Sequence, residues 1–313
     1  MAKKEGVMRL DQLRLFLRAV EEGSISAAAR KSHLAQPAFS AHIRALEESL
    51  GARLFERSTK GVTLTPAGER LHDGARSLLR HVEQVRAETV SEGRDIAGEV
   101  RLVLAASMAP LLAGQLYWGV REAHPGIKLV IRDLLRVESE TLVTSRQVDF
   151  GLLPNVATWV GAASEPVIAQ ELYLVGRELP PGVGPDVPFS QLAKFPLVVG
   201  GRRNQLRIDL ENTAAREGYR INVAIEQDSL SVFRSIVMAG PVYTVVPYSA
   251  FSVEIEAGLL QAARIVEPRI ERSLSFVWHE FSALSVPARA TMDLLRSQIE
   301  RLIQRGALRG HLL

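Results

Sequence analysis

The segment SHLAQPAFSAHIRALEESLG, residues 32–51, has an unusual set of side chains for the surface of a helix. Its apolar residues Phe39, Ile43, Leu46 and Leu50 are spaced four, three and four apart, which predicts one buried stripe. The opposite face carries glutamine, serine, histidine and arginine in place of the usual lysine and glutamate. These side chains combine hydrogen-bond donors and acceptors, so this face could recognise the polar edges of another molecule.

Other residue types that could do chemistry form no familiar set. The seven histidines are scattered, no HExxH or GxSxG motif occurs, and cysteine is absent, which excludes thiolate nucleophiles and zinc–thiolate sites. GGRRNQ, residues 200–205, lacks the glycines and the lysine of a phosphate-binding loop. The acidic pairs Glu21–Glu22 and Glu47–Glu48 are predicted to be solvated charges on helices. We therefore predict no catalytic residue, no metal and no cofactor.

Charge and composition point to one kind of partner. Residues 1–65 hold eleven Lys/Arg against seven Asp/Glu, whereas residues 66–94 hold five of each. A basic end on a nearly neutral body suggests that this end meets a polyanion. No apolar run approaches the roughly 18 residues of a membrane span, and MAKKEGVMRLDQ does not resemble a signal peptide. We expect a cytoplasmic protein with no membrane partner.

The neighbouring residues predict the frame that holds the segment. A helix of apolar period precedes it and ends at Gly23, and Ser24 or Ser26 can cap the short helix SAAARKS. ARLFERSTKGVTLT, residues 52–65, predicts two strands with a basic turn between them. Two short helices with a support helix and a basic hairpin form a winged helix-turn-helix, which we place at residues 8–66. In that fold the second helix of the pair enters the major groove of DNA.

A long helix is predicted over residues 67–94, with Thr65 as its cap and Pro66 at its first position. Residues spaced alternately four and three apart form a coiled-coil pattern on it: Leu71, Ala75, Leu78, Val82, Val85 and Thr89. The helix could pack on its own domain or pair with a second copy. Its length of about seven turns and the charges on its other faces favour pairing.

Residues 95–313 alternate strand and helix beyond the glycine-containing boundary SEGRDIAGEV. This alternation predicts right-handed crossovers in a largely parallel sheet. We expect two α/β lobes, the second inserted into the first. Lobe one would contain residues 95–166 and 268–313, and lobe two residues 167–267.

The N-terminal part resembles the LysR-type transcriptional regulators. Four elements fall in the order and spacing of that family: the AVEEGS turn, AAARKSHLAQPAFSAHIRALE, LGARLFER and LTPAGE. The resemblance extends more loosely over the whole chain, because its length, its linker helix and its paired α/β lobes also agree with that family. It implies an α/β protein with an all-α-type winged helix-turn-helix domain. Residues 95–313 would then be a two-lobed, effector-binding domain similar to periplasmic binding proteins. It also implies a homodimer, commonly a homotetramer.

The resemblance further implies which residues meet double-stranded DNA. The helix that matches the family's groove-reading helix carries Gln36, Pro37, Ser40, His42 and Arg44. Phosphate contacts would come from the wing residues Arg53, Arg57 and Lys60, and from Ser32 in the turn between the helices. Arg44 and His42 could also be ordinary surface residues, and Arg53 or Arg57 could pair with Glu56 or with the linker helix.

Two positions depart from the family. Ala35 stands where a serine or threonine is usual, so a capping hydroxyl and a phosphate contact are lost. Ala41 stands where a long polar residue is frequent, and apolar contact with a thymine methyl could replace a hydrogen bond there. Both changes predict a different operator.

A small-molecule effector is expected between the lobes, where strand ends and helix N-termini present free N–H groups. The candidate contacts are Ser107 and Met108 after the first strand, Leu135 and Arg136 after the second, Arg202, Arg203 and Asn204 in GGRRNQ, and Asp228 and Ser229. Arg202 or Arg203 would suit an anionic effector, although adjacent arginines could also be surface charges. Ser107 could instead be a simple helix cap, as could Asp228 and Ser229.

These observations favour a sequence-specific regulator of transcription whose DNA binding is controlled by an effector. In this hypothesis, effector binding changes lobe closure and thereby the placing of paired recognition helices along DNA. One alternative is a solute-binding module with a helical extension that does not bind DNA. An α/β enzyme with catalytic residues invisible in the sequence is another.

The coiled-coil pattern gives a testable prediction. A fragment ending at Arg94 should dimerise, because its linker helix would bury the apolar seam against a second copy. Sedimentation at micromolar concentration measures this. A fragment that stays monomeric would contradict the prediction.

Overall fold

The computed structural model of the chain describes residues 8–58, 61–90, 96–134 and 136–313. Two predicted site residues, Lys60 and Leu135, lie outside the described residues, as does the side chain of Arg136. The chain divides into two compact units, Met1–Arg94 with Ser145–Gln147, and Asp95–Thr144 with Val148–Leu313. No helix in the described ranges is long and apolar enough to cross a membrane.

The described part of the first unit consists of helices and one hairpin. In chain order they are α1 (Leu10–Glu22), α2 (Ile25–Lys31), α3 (Gln36–Leu50), β1 (Phe55–Ser58), β2 (Gly61–Leu64) and α4 (Pro66–Val90).

Local signals set the ends of these elements. Gly23 ends α1 in the left-handed conformation at φ 60°, which glycine adopts without steric cost. Ser24 is the cap of α2, because its Oγ accepts a hydrogen bond of 3.3 Å from the N–H of Ala27. The Oγ1 of Thr65 accepts a bond of 3.0 Å from the N–H of Gly68 at the start of α4. The predicted cap of this helix is therefore confirmed.

The core of the first unit is built from all four helices and the hairpin. Phe39, Ile43 and Leu46 of α3 are completely buried in it, as their spacing predicts. Leu50 was wrongly assigned to this stripe, since it is 42% exposed. It is the last residue of α3, and Gly51 then turns the chain away.

The predicted seam of α4 divides into two parts. Leu71 and Ala75 pack into the core of their own unit, and Ala75 is only 2% exposed. Leu78 and Val85, further along, are 40% and 48% exposed. An α-helix has 3.6 residues per turn, so a strict seven-residue pattern drifts around the helix and does not stay on one packed face. The N-terminal part of the seam is therefore used within the unit, and the C-terminal part exposes apolar side chains.

The second unit contains the remaining elements. In chain order they are β3 (Ala97–Ala105), α5 (Ala109–Ala123), β4 (Gly126–Leu134), α6 (Arg136–Thr144), β5 (Phe150–Pro154), β6 (Ala162–Gly176), β7 (Asp186–Pro188), β8 (Leu197–Val199), α7 (Gln205–Arg216), β9 (Val223–Glu226), α8 (Leu230–Ala239), β10 (Tyr243–Pro247), α9 (Ser252–Glu256), β11 (Gln261–Val266), β12 (Glu271–His279), α10 (Val286–Gln304) and β13 (His311–Leu312).

Eleven strands among the described residues join into one sheet, in the order β4-β3-β5-β12-β6-β10-β8-β9, with β11 and β13 also on β6 and β7 on β11. The sheet is mixed, so the expectation of a largely parallel one is wrong. The β4-β3-β5 and β10-β8-β9 groups are parallel, but β12 runs antiparallel to both β5 and β6. The physical reason is that β6 and β12 are the strands that connect the two groups, and they cross in opposite directions.

The strand β6 belongs to both groups. It pairs with β12 up to Glu171 and with β10 from Leu172 onwards. Separate apolar clusters lie on either side of this change of partner, one around β3, β5 and α5 and two around β8, β10 and α8. We use lobe one for the first group and lobe two for the second. The boundaries expected at residues 166 and 267 stay predictions.

The close packing of α4 in the first unit gives a testable prediction. A Cβ on Gly68 would lie 2.2 Å from the carbonyl oxygen of Leu54, a backbone atom that cannot swing aside. Gly68→Ala should therefore lower the free energy of unfolding by about 1–3 kcal/mol. Thermal denaturation of the full chain measures the change.

Gly74→Ala in the same helix is the matched control, because nothing lies within 4 Å of its new Cβ. This variant should be neutral or stabilising by up to about 1 kcal/mol. Equal destabilisation by both substitutions would contradict the steric account.

Candidate DNA-reading face and effector cavity

The helix α3 is fixed by its apolar side and leaves its polar side open. Gln36, Pro37 and Arg44 are exposed, and Ser40 and His42 are half-buried. Within the part of the chain that the structure describes, no side-chain hydrogen bond or ion pair involves Gln36, Ser40, His42 or Arg44. We name these four residues the reading face. Their donors and acceptors remain available to a partner.

The N-terminus of α3 has no side-chain cap. Ala35 is its capping residue, with extended backbone at φ −65° and ψ 139°, and no side chain accepts from the first turn. Pro37 fits here because the first turn needs no hydrogen bond from its nitrogen. The half-buried Ser32 ends α2 just before this turn.

The wing is the hairpin of β1 and β2, and its backbone is closely packed. The N–H of Val62 donates a 2.9 Å bond to the carbonyl oxygen of Gly23. A Cβ on Gly61, which has φ 131°, would come within 2.3 Å of that oxygen. Glycine is thus required at residue 61 to seat the hairpin on the turn between α1 and α2.

The wing carries exposed cations. Arg53 and Arg57 are both exposed, and among the described residues neither forms an ion pair with Glu56 or with α4. The carbonyl oxygen of Arg53 accepts a 2.7 Å hydrogen bond from the Oγ1 of Thr65, which fixes its backbone. These cations are therefore free to meet phosphate.

Sequence reasoning missed the role of Glu47. It was interpreted as a solvated charge, but its Oε1 accepts hydrogen bonds of 2.8 and 3.4 Å from the N–H groups of Leu54 and Phe55. Glu47 thereby links α3 to the first strand of the wing. Its partners lie seven and eight residues away on an irregular segment, so no local pattern indicates the contact.

In the second unit, a cavity of about 460 Å³ lies between the two lobes. Its walls include the carboxyl ends of β3, β5, β8 and β10, which is where ligands bind in open α/β sheets. Apolar residues supply much of the lining, and Leu206, Leu230, Phe233, Val245 and Val246 contribute from lobe two.

The polar part of this cavity includes Ser107 and Arg272. The Nη2 of Arg272 donates a 2.7 Å hydrogen bond to the Oγ of Ser107. The alternative that Ser107 caps α5 is wrong, because Met108 holds the capping position and the helix has no side-chain cap. Arg272 was missed, although a signal exists: it lies in phase with the buried Leu274 and Phe276 on one face of β12.

The structure separates the predicted effector contacts into three groups. Arg202 and Arg203 are exposed and line the cavity. Asn204 and Asp228 also line it, but both hold backbone: Asn204 caps α7 through the N–H of Arg207, and Asp228 accepts a 2.9 Å bond from Gly201. Met108, which is completely buried, and Ser229, which precedes α8, are not in the lining.

Arg207 illustrates how this unit treats a buried cation. Its guanidinium lies 2.8 Å from the carboxylates of both Glu211 and Glu226, and it donates a 3.0 Å bond to the carbonyl oxygen of Gly200. Glu211 and Glu226 raise the pKa of Arg207 by these interactions. Arg207 lines the cavity, but its charge is already balanced by these two carboxylates.

Two family profiles cover most of the chain. The profile described as "Bacterial regulatory helix-turn-helix protein, lysR family" matches residues 10–69, and "LysR substrate binding domain" matches residues 93–300. The chain belongs to the LysR family of bacterial transcriptional regulators. As a LysR-family protein it is a DNA-binding regulator under the control of an effector. The match over residues 10–69 counts against a solute-binding module with an unrelated extension.

Individual relatives agree over nearly the full length. The nitrogen assimilation regulatory protein Nac of Klebsiella aerogenes is 28% identical over 94% of this chain and 96% of its own. A full-length OxyR variant from Pseudomonas aeruginosa has the same fold, with a TM-score of 0.71, 21% identity and coverage of 94% and 95%. Full-length CbnR in complex with its target DNA gives a TM-score of 0.55 at 21% identity, covering 93% of this chain and 99% of that one.

Groups of side chains that could hold a metal were also sought. Within the described ranges, no three His, Cys, Asp or Glu side chains lie close enough together to do so.

The link through Glu47 gives a testable prediction. Glu47→Ala should lower the free energy of unfolding by about 1–3 kcal/mol, because the N–H of the buried Leu54 loses its acceptor. Amide exchange at Leu54 should accelerate as the wing loosens. Denaturation and exchange in the full chain measure both effects.

Glu48→Ala is the matched control, since Glu48 is exposed and adjacent. It should change the free energy of unfolding by less than about 0.5 kcal/mol. Equal exchange rates at Leu54 in the two variants would contradict the role of Glu47.

Proposed function

We propose that this LysR-family protein is a cytoplasmic, non-enzymatic regulator that reads operator DNA through α3 and responds to an effector held between its lobes. In this proposal Gln36, Pro37, Ser40, His42 and Arg44 contact base edges. Arg53, Arg57 and Lys60 on the wing, with Ser32, contact phosphates.

The observation that carries the proposal is the division of α3 into two sides. Phe39, Ile43 and Leu46 are completely buried, whereas the reading face has no protein partner among the described residues. A helix fits the major groove, and arginine and glutamine form bidentate pairs with guanine and adenine respectively. Neighbouring exposed cations supply the attraction to phosphate that positions such a helix.

The exposed apolar part of α4 supports assembly through residues 67–94. Leu78 and Val85 present apolar side chains to solvent on a long helix, and pairing with a second α4 would bury them. A dimer would place two reading faces on half-sites about 34 Å or a multiple apart. Two dimers would form the tetramer.

Effector control belongs to the cavity between the lobes. A ligand that binds one arrangement of the lobes more tightly would shift the equilibrium of the paired subunits towards that arrangement. The size of this shift is limited by the difference between its affinities for the two arrangements. Ser107, Arg202 and Arg203 line the cavity and are candidate contacts, and Asn204 and Asp228 position its backbone. Met108, Leu135, Arg136 and Ser229 remain predictions as contacts.

Substitution of Arg44 tests the reading face. An operator is first selected from a random DNA pool with the wild-type protein. Arg44→Ala should then weaken operator binding by about 1–3 kcal/mol and weaken binding to scrambled DNA much less, because a base contact is lost. Equal losses on both DNAs would contradict a base-reading role.

Arg57→Ala is the matched comparison on the wing. A phosphate contact is independent of sequence, so this variant should lose affinity equally on both DNAs. The slope of the logarithm of its DNA-binding constant against the logarithm of salt concentration should become shallower by about one. A loss confined to the operator would contradict the assignment of Arg57 to phosphate.

A further inference from the structure

The crossing strands of the second unit place two incompletely bonded polar groups side by side. Arg272 on β12 is the direct partner of Gln170 on β6 in the antiparallel ladder. The Nε of Arg272 and the Oε1 of Gln170 are both buried and have no hydrogen-bond partner among the described residues. Buried polar groups are almost always bonded in native proteins. The Nε–H of Arg272 is a donor, so a ligand that supplies an acceptor can satisfy it.

The positive charge of Arg272 also has no ion-pair partner among the described residues. No carboxylate in the described residues pairs with it, although the same unit gives the buried Arg207 two carboxylates at 2.8 Å. Burial lowers the pKa of Arg272 to about 10, so the guanidinium is still charged at neutral pH. Arg272 is half-buried and its Nε is completely buried. A partly buried cation without a counter-charge is destabilised, and a bound anion would reduce that cost.

Ser107 is oriented to assist an anion. Its Oγ accepts the hydrogen bond from Arg272, so its own proton is free to be donated elsewhere. Ser107 and Arg272 both line the cavity, and Ser107 is 8% exposed. One cation and one hydroxyl donor thus converge on a single small region of the wall.

The cluster reaches both lobes. The Nε2 of Gln170 donates a 3.1 Å bond to the Oγ of Ser249 in lobe two, and it lies 3.4 Å from the sulfur of Met108 in lobe one. Gln170 is completely buried and Ser249 is 3% exposed. Arg272 is therefore paired, through the backbone ladder, with a residue whose side chain contacts both lobes.

The remaining wall indicates what is attached to the anion. Leu206, Leu230, Phe233 and Val245 offer apolar surface, while the acids Glu138 and Asp228 also line the cavity. An apolar wall favours a ligand with a hydrocarbon body. Arg202 and Arg203 line the cavity as well, so its charged side chains do not limit the ligand to one negative charge.

We propose that the effector is a small carboxylic acid with an apolar body, whose carboxylate is bound by Arg272 and Ser107. This inference rests on the proposed function of the cavity, and it adds Arg272 as the residue that selects the acid. Gln170, the ladder partner of Arg272, links this point of β6 to Ser249 of lobe two.

The test uses purified full-length protein and defined probes. Benzoate and butyrate are compared with their neutral isosteres benzamide and butanamide, and with inorganic phosphate and sulfate, all at millimolar concentration. Binding is measured by calorimetry and by the shift of the thermal unfolding midpoint. At least one acid should bind about tenfold or more tightly than its amide, because a charged hydrogen bond is lost in the amide.

Arg272→Gln should remove this preference. Acid binding should weaken about tenfold or more, while amide binding stays the same or improves, which a general loss of structure would not produce. Arg272→Lys keeps the charge without the planar fork, so it should keep a reduced preference for the acid. Arg269→Gln is the matched control: this exposed arginine lies nearby in the sequence, outside the cavity lining, and should leave the preference unchanged.

Three results would overturn the inference: no acid binds the wild-type protein, acids and amides bind equally, or Arg272→Gln retains the preference. Tighter binding of phosphate or sulfate than of any acid would also overturn the carboxylate assignment. Operator binding without any probe is measured in parallel. Its absence in the wild-type protein would defeat the proposed function, whereas intact operator binding with no acid preference would defeat only this inference.

Discussion

The second unit depends on the backbone hydrogen bonds of one strand, β6. Glu171 still pairs with β12, and the next residue, Leu172, already pairs with β10. Leaving a buried backbone N–H or C=O group of this ladder without a hydrogen bond would cost about 1–3 kcal/mol for each group. The strand therefore stays paired along its length and belongs to both lobes. Any change in lobe closure must bend β6 and its partner β12 where the sheet changes membership. Gln170 and Arg272 lie at that place, so the acid proposed to bind there would contact the strands that have to bend.

In the first unit, close contacts to the backbone hold separate elements together. Gly61 lies against the carbonyl of Gly23, Gly68 lies against the carbonyl of Leu54, and Glu47 accepts from the N–H groups at the start of the wing. Each contact joins elements that are separate in the sequence order of the unit. The wing and the reading helix therefore keep a fixed spacing, which is what simultaneous contact with a groove and with its phosphates requires.

Local features of the sequence predicted the fold well, and non-local ones did not. The spacing of Phe39, Ile43 and Leu46 identified the buried side of α3, and the caps at Gly23 and Thr65 follow from rules that act within a few residues. The mixed sheet was missed because strand direction depends on which distant strands pair. The bond between Ser107 and Arg272 joins residues 165 apart in the chain, and only the fold brings them together. Along α4, the spacing of apolar residues predicted a continuous seam. It did not show that Leu71 and Ala75 pack in the core of the unit while Leu78 and Val85 are exposed.

The two-sided construction of α3 has a consequence for how such a protein diverges. The apolar residues that pack α3 against its neighbours are completely buried. Among the described residues, the outward-facing side chains form no hydrogen bond or ion pair that would hold the helix in place. Substitutions at Gln36, Ala41 or Arg44 therefore carry little penalty in folding, because each is exposed. If these residues contact bases as proposed, mutation could change the preferred DNA sequence while the scaffold stays intact. The buried and outward sides of α3 could then change independently of each other.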